Sequence, residues 1–183
     1  MKKFELTSEF VTFLGKKLFR IKALISFGNV EEGELGGYVE KEENLSNDGN
    51  AWVAGDARVF GNAWVSGNAW VYGDAWVCGD ARVYGDAWVY GDARVSGNAW
   101  VSGDARVSGD ADYATVHGFG SEYRTTTFFR TKAGDIGVRC GCFYGTLEEF
   151  RAKVKETHGE TKTAKEYLMV ADLMEFRFSK EEV

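Results

Sequence analysis

The most regular pattern in the chain lies between Gly49 and Ser108, where apolar and polar positions repeat every six residues. Each unit has an alanine and a valine two positions apart, a tryptophan or arginine between them, and a Gly-Asp or Gly-Asn pair. Alternation with period two predicts a short strand with alanine and valine on its inner side, and the Gly-Asp and Gly-Asn pairs favour tight corners. Ten consecutive copies without an insertion therefore predict a parallel β-helix with an apolar interior.

The motif resembles that of the hexapeptide-repeat proteins, whose β-helix is left-handed and uses three units per coil. On that resemblance residues about eighteen apart stack on neighbouring rungs, so Val59, Val77 and Val95 should share one interior column. The fold class predicted is mainly β. It comprises an N-terminal β cap over 1–44, a left-handed parallel β-helix of hexapeptide repeats over 45–114, and a C-terminal α+β (ββαα) domain over 115–183.

The two flanks have weaker patterns. Strand-like runs cover 3–6 and 18–27 in the cap, and a hairpin is predicted from 122–131 and 136–143, turned at the sequence KAGD. Thr146 and Glu149 have the spacing of a capping box, which predicts a helix from Leu147 that ends at Gly159. A second helix is predicted over 163–176, with an apolar face formed by Tyr167, Val170, Ala171 and Met174.

The eighteen-residue step distributes the outward residues over three faces. The first face has an excess of aromatic residues, which a solvated monomer does not ordinarily display. We expect it to be an interface, either between copies of the chain or with a partner protein or a nucleotide base. Its candidate binding residues are Trp52, Trp70, Tyr72, Trp88, Tyr90 and Arg106.

The second and third faces alternate arginine with tryptophan along the rungs. Guanidinium groups stacked on indoles contribute about 0.5–1 kcal/mol per contact at exposed sites, so these faces are expected to be rigid secondary surfaces. Their residues are Arg58, Trp76 and Arg94 on the second face, and Trp64, Arg82 and Trp100 on the third.

Charge and cysteine content narrow the function classes. The net charge is −6, and residues 45–114 contain four arginines and nine aspartates, which argues against direct nucleic-acid binding through phosphate contacts. The chain has three cysteines, an odd number, and no leader-like segment, a combination that suits a reducing compartment, so a cytoplasmic location is predicted. No apolar run approaches the length that a membrane span needs.

Two groups of residues are candidate metal ligands. Four corner aspartates, Asp56, Asp74, Asp92 and Asp110, should form one column, but turn aspartates bonding nearby amides account for such a column without calcium. Cys140 and Cys142, with His158, could supply three zinc ligands, although the spacing is not that of a usual zinc pair. Buried strand cysteines are the favoured interpretation, and no metal or cofactor is predicted.

The same repeat motif occurs in acyltransferases that use a histidine base, and in carbonic anhydrases that need three histidines. This chain has two histidines, His117 and His158, and neither lies within the repeat. A lone histidine near a domain junction is typically structural. The chain is therefore predicted not to be an enzyme, and replacing His117 should matter less than replacing Trp70 and Trp88.

The segment GELGGYVEKEENLS over 33–46, with FRIKALISF before it and GNAW after it, resembles the start of small hexapeptide-repeat proteins encoded by tailed phages and prophages. That resemblance implies a non-catalytic binding protein that inhibits a bacterial defence system by occluding a host protein complex in the host cytoplasm. Three alternatives stay open: a sponge for a nucleotide immune signal, a structural polymer-forming protein and a degenerate acyltransferase. Self-association as a dimer or trimer is expected, through either the first face or the C-terminal helices.

Overall fold

A computed structural model describes residues 2–179. The chain divides into two compact units, one ending at Asp110 and the other beginning at Ala111. The first unit is a β-solenoid with additional β-structure at its N-terminal end, and the second unit contains four strands and two helices.

Three strands open the first unit: β1 (Phe4–Phe13), β2 (Lys16–Ala23) and β3 (Leu35–Val39). β1 and β2 form an antiparallel hairpin whose turn residues, Leu14 and Gly15, both have positive φ, as a type I′ turn requires. The sequence prediction of strands over 3–6 and 18–27 was too short for the first strand and too long for the second. A Leu-Gly pair lacks the asparagine or aspartate that usually marks such a turn, so the hairpin was not recognised.

The ten repeat units form ten two-residue strands, each consisting of the outward tryptophan or arginine and the valine that follows it. In chain order they are β4 (Trp52–Val53), β5 (Arg58–Val59), β6 (Trp64–Val65), β7 (Trp70–Val71), β8 (Trp76–Val77), β9 (Arg82–Val83), β10 (Trp88–Val89), β11 (Arg94–Val95), β12 (Trp100–Val101) and β13 (Arg106–Val107).

These strands pair in parallel with those three units away, which gives three columns: β4-β7-β10-β13, then β5-β8-β11 continued by β3, and β6-β9-β12. Amide groups of each rung donate to carbonyls of the next, as Trp70 N does to Ala87 O at 2.9 Å. Every inward-facing alanine and valine of the repeat is at most 1% exposed. The prediction that Val59, Val77 and Val95 share one buried column is confirmed by their register.

Corner glycines let the rungs approach closely. Gly85 has φ +72°, and a Cβ placed there would lie 2.9 Å from the backbone nitrogen of Gly103 on the next rung. Any other residue at this corner would be strained by its backbone conformation and crowded by its neighbour. Glycine at this corner therefore permits both the bend and the rung spacing.

The N-terminal end of the solenoid presents carbonyl groups that have no preceding repeat rung to bond them. The Asn44 side-chain amide donates to Gly61 O and Ala63 O at 3.1 and 2.8 Å. The Lys3 ammonium group donates to Gly49 O and Ala51 O at 3.3 and 2.8 Å and is 1% exposed. A buried carbonyl without a hydrogen-bond donor lowers the stability of the fold. These two side chains therefore stabilise the N-terminal end of the solenoid.

Burial lowers the pKa of Lys3 from 10.5 to about 8, although Asp48 opposes the shift. The folded chain therefore binds fewer protons than the unfolded chain between about pH 8 and 10.5, and the Lys3 contribution to stability rises with pH across that window and is constant below it.

We expect Lys3→Met to lower the unfolding free energy by about 1–3 kcal/mol at neutral pH, because two carbonyls lose their donor. In denaturant titrations, the difference between the wild-type and variant free energies should then widen as the pH rises from about 8 to 10.5. A difference that stays constant or narrows over this range would contradict the buried position of the ammonium group.

The second unit is a four-stranded antiparallel sheet followed by two helices. Its strands are β14 (Tyr113–Val116), β15 (Thr126–Arg130), β16 (Ile136–Cys140) and β17 (Phe143–Thr146), paired in chain order. The helices α1 (Leu147–His158) and α2 (Lys162–Phe178) contribute to an apolar core with the sheet. Its central residues include Phe128, Val138, Phe150, Tyr167 and Met174.

Both helices and the central hairpin of this unit were predicted. The capping box is present, with Thr146 Oγ1 accepting from Glu149 N at 3.2 Å and Glu149 Oε2 accepting from Thr146 N at 2.8 Å. The predicted ββαα arrangement was incomplete, because the sequence analysis did not predict β14 and β17. β14 follows a degenerate repeat unit and β17 runs directly into α1, so neither has turn residues on both sides. The mainly β fold with a solenoid and two C-terminal helices is confirmed.

Candidate interaction surface

The first face of the solenoid is the outer side of the column β4-β7-β10-β13, where Trp52, Trp70, Trp88 and Arg106 are in parallel register. Trp52 is fully buried, so the prediction that it belongs to an exposed binding surface is wrong. The Phe27 ring packs edge-on against it at 5.5 Å. A Cβ on Gly36 would lie 2.7 Å from the Trp52 ring, so glycine at this position lets β3 approach the indole closely.

The remaining aromatic residues of this face form a ladder that we call the aromatic strip: Trp70, Tyr72, Trp88, Tyr90 and the adjoining Arg106. Trp88 is 41% exposed, whereas Trp70, Tyr72 and Tyr90 are half-buried. The Tyr72 and Tyr90 rings stack with centroids 5.2 Å apart and planes 7° apart, and the Trp88 ring meets Tyr72 edge-on at 6.1 Å. The rings therefore hold one another in place and leave the Trp88 indole as the most exposed part of the strip.

Burial, assisted by the neighbouring Tyr90, raises the pKa of Tyr72, and the positive charge of Arg106 opposes that rise only in part. The phenol accordingly remains neutral at physiological pH. A neutral hydroxyl can donate or accept a hydrogen bond at the edge of an apolar contact.

Arg106 closes the strip at its C-terminal end. Its guanidinium group lies 4.3 Å from the Trp88 ring centroid and donates to Asp86 O, Asp104 O and Ala105 O at 2.9, 3.1 and 2.8 Å. Three backbone acceptors fix the orientation of the group, so the cation–π contact forms without ordering a free side chain. Arg106 therefore positions the indole of Trp88.

The second face is partly covered by the N-terminal hairpin. The Phe13 ring lies 4.5 Å from that of Trp76 and 5.8 Å from that of Phe60, and the Arg58 guanidinium group lies 4.6 Å from it. Arg94 is exposed and stacks on Trp76 at 4.9 Å. The part of this predicted secondary surface around Trp76 and Arg58 is therefore taken up by an intramolecular contact with the hairpin.

The third face remains exposed over much of its length. Trp64 is 41% exposed, Arg82 is exposed, and the Arg82 guanidinium group lies 5.0 Å from the half-buried Trp100 ring. The predicted alternation of cation and indole is present here. Trp64 thus has the same exposure as Trp88 on a different face.

The corners carry polar ladders. Side-chain amides of Asn50, Asn62 and Asn68 donate to the residues one coil further on, at 3.0–3.1 Å. In the aspartate column Asp56, Asp74, Asp92 and Asp110 are all exposed, and Asp110 accepts from Arg94 N at 3.0 Å. Across residues 2–179, no three histidine, cysteine, aspartate or glutamate side chains are grouped as metal ligands.

The candidate residues for catalysis or zinc binding lie in the second unit. His117 is exposed and its Nδ1 is 3.0 Å from Thr125 Oγ1, while His158 stacks on Tyr167 at 5.7 Å. Cys140 is half-buried at the end of β16 and accepts from Thr126 Oγ1 at 3.2 Å. Cys142 is exposed in the turn before β17, so the interpretation of both cysteines as buried strand residues is wrong for Cys142.

Sequence reasoning missed several residues that shape these surfaces. Phe13 and Phe27 lie in segments without a repeat, and only the folded chain brings them onto the second and first faces. Lys3 and Asn44 also lack a motif, because each acts by reaching carbonyls far along the sequence. Among residues 2–179, neither helix has the length and apolar character that a membrane span requires.

The repeat region is similar to a known family of solenoid repeats. The YdcK beta solenoid repeat matches four overlapping stretches of the repeat region, at residues 57–73, 63–79, 75–91 and 88–103. No curated protein matches the chain. The family match agrees with the solenoid seen in the structure and covers neither the N-terminal hairpin nor the second unit.

Proposed function

We propose that this chain is a non-catalytic binding protein that docks a partner protein on the aromatic strip and inhibits a bacterial defence system by occluding a host protein complex. The observation that supports docking is the exposed Trp88, which is held from one side by Tyr72 and from the other by Arg106. Interfaces concentrate their energy in a few such aromatic and arginine anchors. Because the side chains are already ordered, little conformational entropy is lost on binding.

The defence-inhibitor role and the phage origin come from the resemblance of residues 33–46 and their neighbours to small phage and prophage proteins. We propose with them that the solenoid is the left-handed, hexapeptide-repeat type and that the chain acts in the cytoplasm of the host cell. Phage proteins of this kind act on host machinery, which is consistent with a surface specialised for a foreign partner.

The alternative of a nucleotide sponge is less well supported by the geometry of the strip. Tyr72 and Tyr90 stack on each other at 5.2 Å, whereas a base inserted between two rings would need them to be roughly 7 Å apart. Nine aspartates against four arginines in residues 45–114 would also repel phosphate groups. Both features favour a protein partner.

A polymer formed by end-to-end stacking and a degenerate acyltransferase are also less well supported. At the N-terminal end, Lys3 and Asn44 already bond carbonyls that a stacked copy would need. His117 is exposed on the second unit beside Thr125, whereas acyl transfer would need its base in a pocket that encloses the acceptor.

The experiment that tests this function expresses the chain in bacteria that each carry one defence system and measures the plating efficiency of a phage sensitive to that system. We expect the wild-type chain to restore plating against at least one system. The double variant Trp88→Ala with Tyr90→Ala should lose the effect, whereas His117→Ala should retain it because a binder moves no proton. An active strip variant together with an inactive His117→Ala would instead indicate an enzyme.

A further inference from the structure

We propose that the protein docked on the aromatic strip presents a basic surface, whose lysine and arginine side chains contact the aspartate column beside the strip. The inference rests on the docking site proposed above and adds the chemistry of its partner. The aspartate column follows the corner between the first and second faces. Asp74 comes two residues after Tyr72, and Asp92 comes two residues after Tyr90, so the carboxylates border the stacked tyrosines of the strip.

The carboxylates of this column have no partner inside the molecule. Within residues 2–179, the side chains of Asp56, Asp74 and Asp92 are exposed, form no ion pair and accept no hydrogen bond. Hydrogen bonds to nearby amides, which would explain aspartate at a turn, are therefore not what these three side chains provide. On the second face the Phe13 ring covers Trp76, so the aromatic strip is the open surface beside Asp74.

The other two corner columns show that the turn itself does not need aspartate. Asparagine occupies equivalent places there, and the side-chain amides of Asn62 and Asn68 donate to Asp80 and Asp86 one coil further on, at 3.1 and 3.0 Å. The aspartate column contains no asparagine, and its members follow one another at the rung spacing of about 4.8 Å. Like charges at this distance repel. A cationic partner would remove that repulsion, which asparagine at the same corners would have avoided.

Lysine and arginine side chains suit both the column and the strip. The charged end of either side chain can pair with a carboxylate of the column, while its alkyl stem packs on the neighbouring tyrosine rings. The exposed indole of Trp88 can accept a further cation–π contact. Arg106 does not neutralise the column, because its guanidinium group donates to three backbone carbonyls. An acidic partner surface would be repelled by the same carboxylates, so charge complementarity selects a basic one.

The test measures the fluorescence anisotropy of two dye-labelled synthetic peptides titrated with the full chain at low salt. One peptide combines lysine with leucine and serine, and the other has glutamate in place of each lysine. We expect the lysine peptide to bind at least about tenfold more tightly than the glutamate peptide. Asp74→Asn with Asp92→Asn should weaken binding of the lysine peptide by about fivefold or more, because two surface ion pairs are lost. Trp88→Ala should weaken it by about tenfold or more.

Asp80→Asn with Glu43→Gln is the matched control, because it also removes two exposed negative charges. Asp80 lies at the corner between the second and third faces, and Glu43 precedes Asn44, which donates to Gly61 O and Ala63 O at that same corner. The control should bind the lysine peptide within about twofold of the wild-type affinity. The aspartate-column variant should be folded, with a melting temperature equal to or above that of the wild type, because asparagine already occupies equivalent corners.

Equal losses in the column variant and the control would show that net charge alone attracts the peptide, and would overturn the proposal. A lysine peptide that does not bind, or whose affinity is unchanged in the column variant, would overturn it as well. Failure here is distinguishable from failure of the proposed function. Loss of binding on Trp88→Ala alone would leave docking on the strip intact and exclude a basic partner, whereas binding that depends on the column and not on Trp88 would contradict docking on the strip itself.

Discussion

Replacing Val83 with aspartate is expected to unfold the solenoid. Val83 is fully buried in the middle of the third column, in register with Val65 and Val101. An unpaired carboxylate in an apolar interior costs roughly 4 kcal/mol or more, which is a large part of the ~5–15 kcal/mol that stabilises a typical domain. Because rungs support only their neighbours, the damage should spread along the coil in both directions.

Arg82→Asp is the matched control, because Arg82 precedes Val83 directly and points outward. It removes the contact with Trp100, and a loss of about 0.5–1 kcal/mol is expected. Urea unfolding followed by circular dichroism compares the two variants. Equal midpoints for Val83→Asp and Arg82→Asp would mean that the inward and outward assignments of this column are incorrect.

Replacing Trp88 with alanine is expected to weaken partner binding by roughly thirtyfold, since a central tryptophan anchor contributes about 2 kcal/mol or more. The thermal midpoint should change little, because the indole is 41% exposed and the alanine and valine interior beneath it is untouched. The measurement is the dissociation constant of the purified complex by isothermal titration calorimetry, with the melting temperature recorded for the same samples.

Trp64→Ala provides the control for this variant, because Trp64 has the same 41% exposure on the third face. Its affinity should stay within about twofold of the wild-type value, as expected for a residue outside the energetic centre of an interface. If Trp64→Ala weakens binding as much as Trp88→Ala, the partner does not dock specifically on the aromatic strip.

The architecture of the repeat region could be predicted from the sequence because each position of the repeat has one physical role. Inward alanine and valine, outward tryptophan or arginine and corner glycine recur with a fixed period. With the three units per coil implied by the resemblance to hexapeptide-repeat proteins, that period predicted the register of Val59, Val77 and Val95. The sequence alone could not show that Trp52 is buried. Its cover depends on Phe27, in an irregular segment, and on the close approach of Gly36, which no periodic pattern encodes.

In the second unit, too, the sequence predicted some features and not others. Local chemistry identified the capping box of α1 and the inner side of α2, because both depend on residues a few positions apart. The sequence did not single out the exposed apolar residues of α2, although Met169, Leu173 and Phe176 have helical spacing. Periodicity indicates where apolar residues share a side of a helix, but it does not show whether a second such row is covered or exposed.

The most direct test of binding as opposed to catalysis is a titration of the inhibited defence complex with increasing amounts of purified chain. A binding protein should abolish the activity of the complex only when its molar amount reaches that of its target. The inhibition curve should therefore break near equal amounts, at a point that does not move with longer incubation. Complete inhibition by a small fraction of that amount, deepening with time, would show that the chain turns over a substrate and would contradict a non-catalytic function.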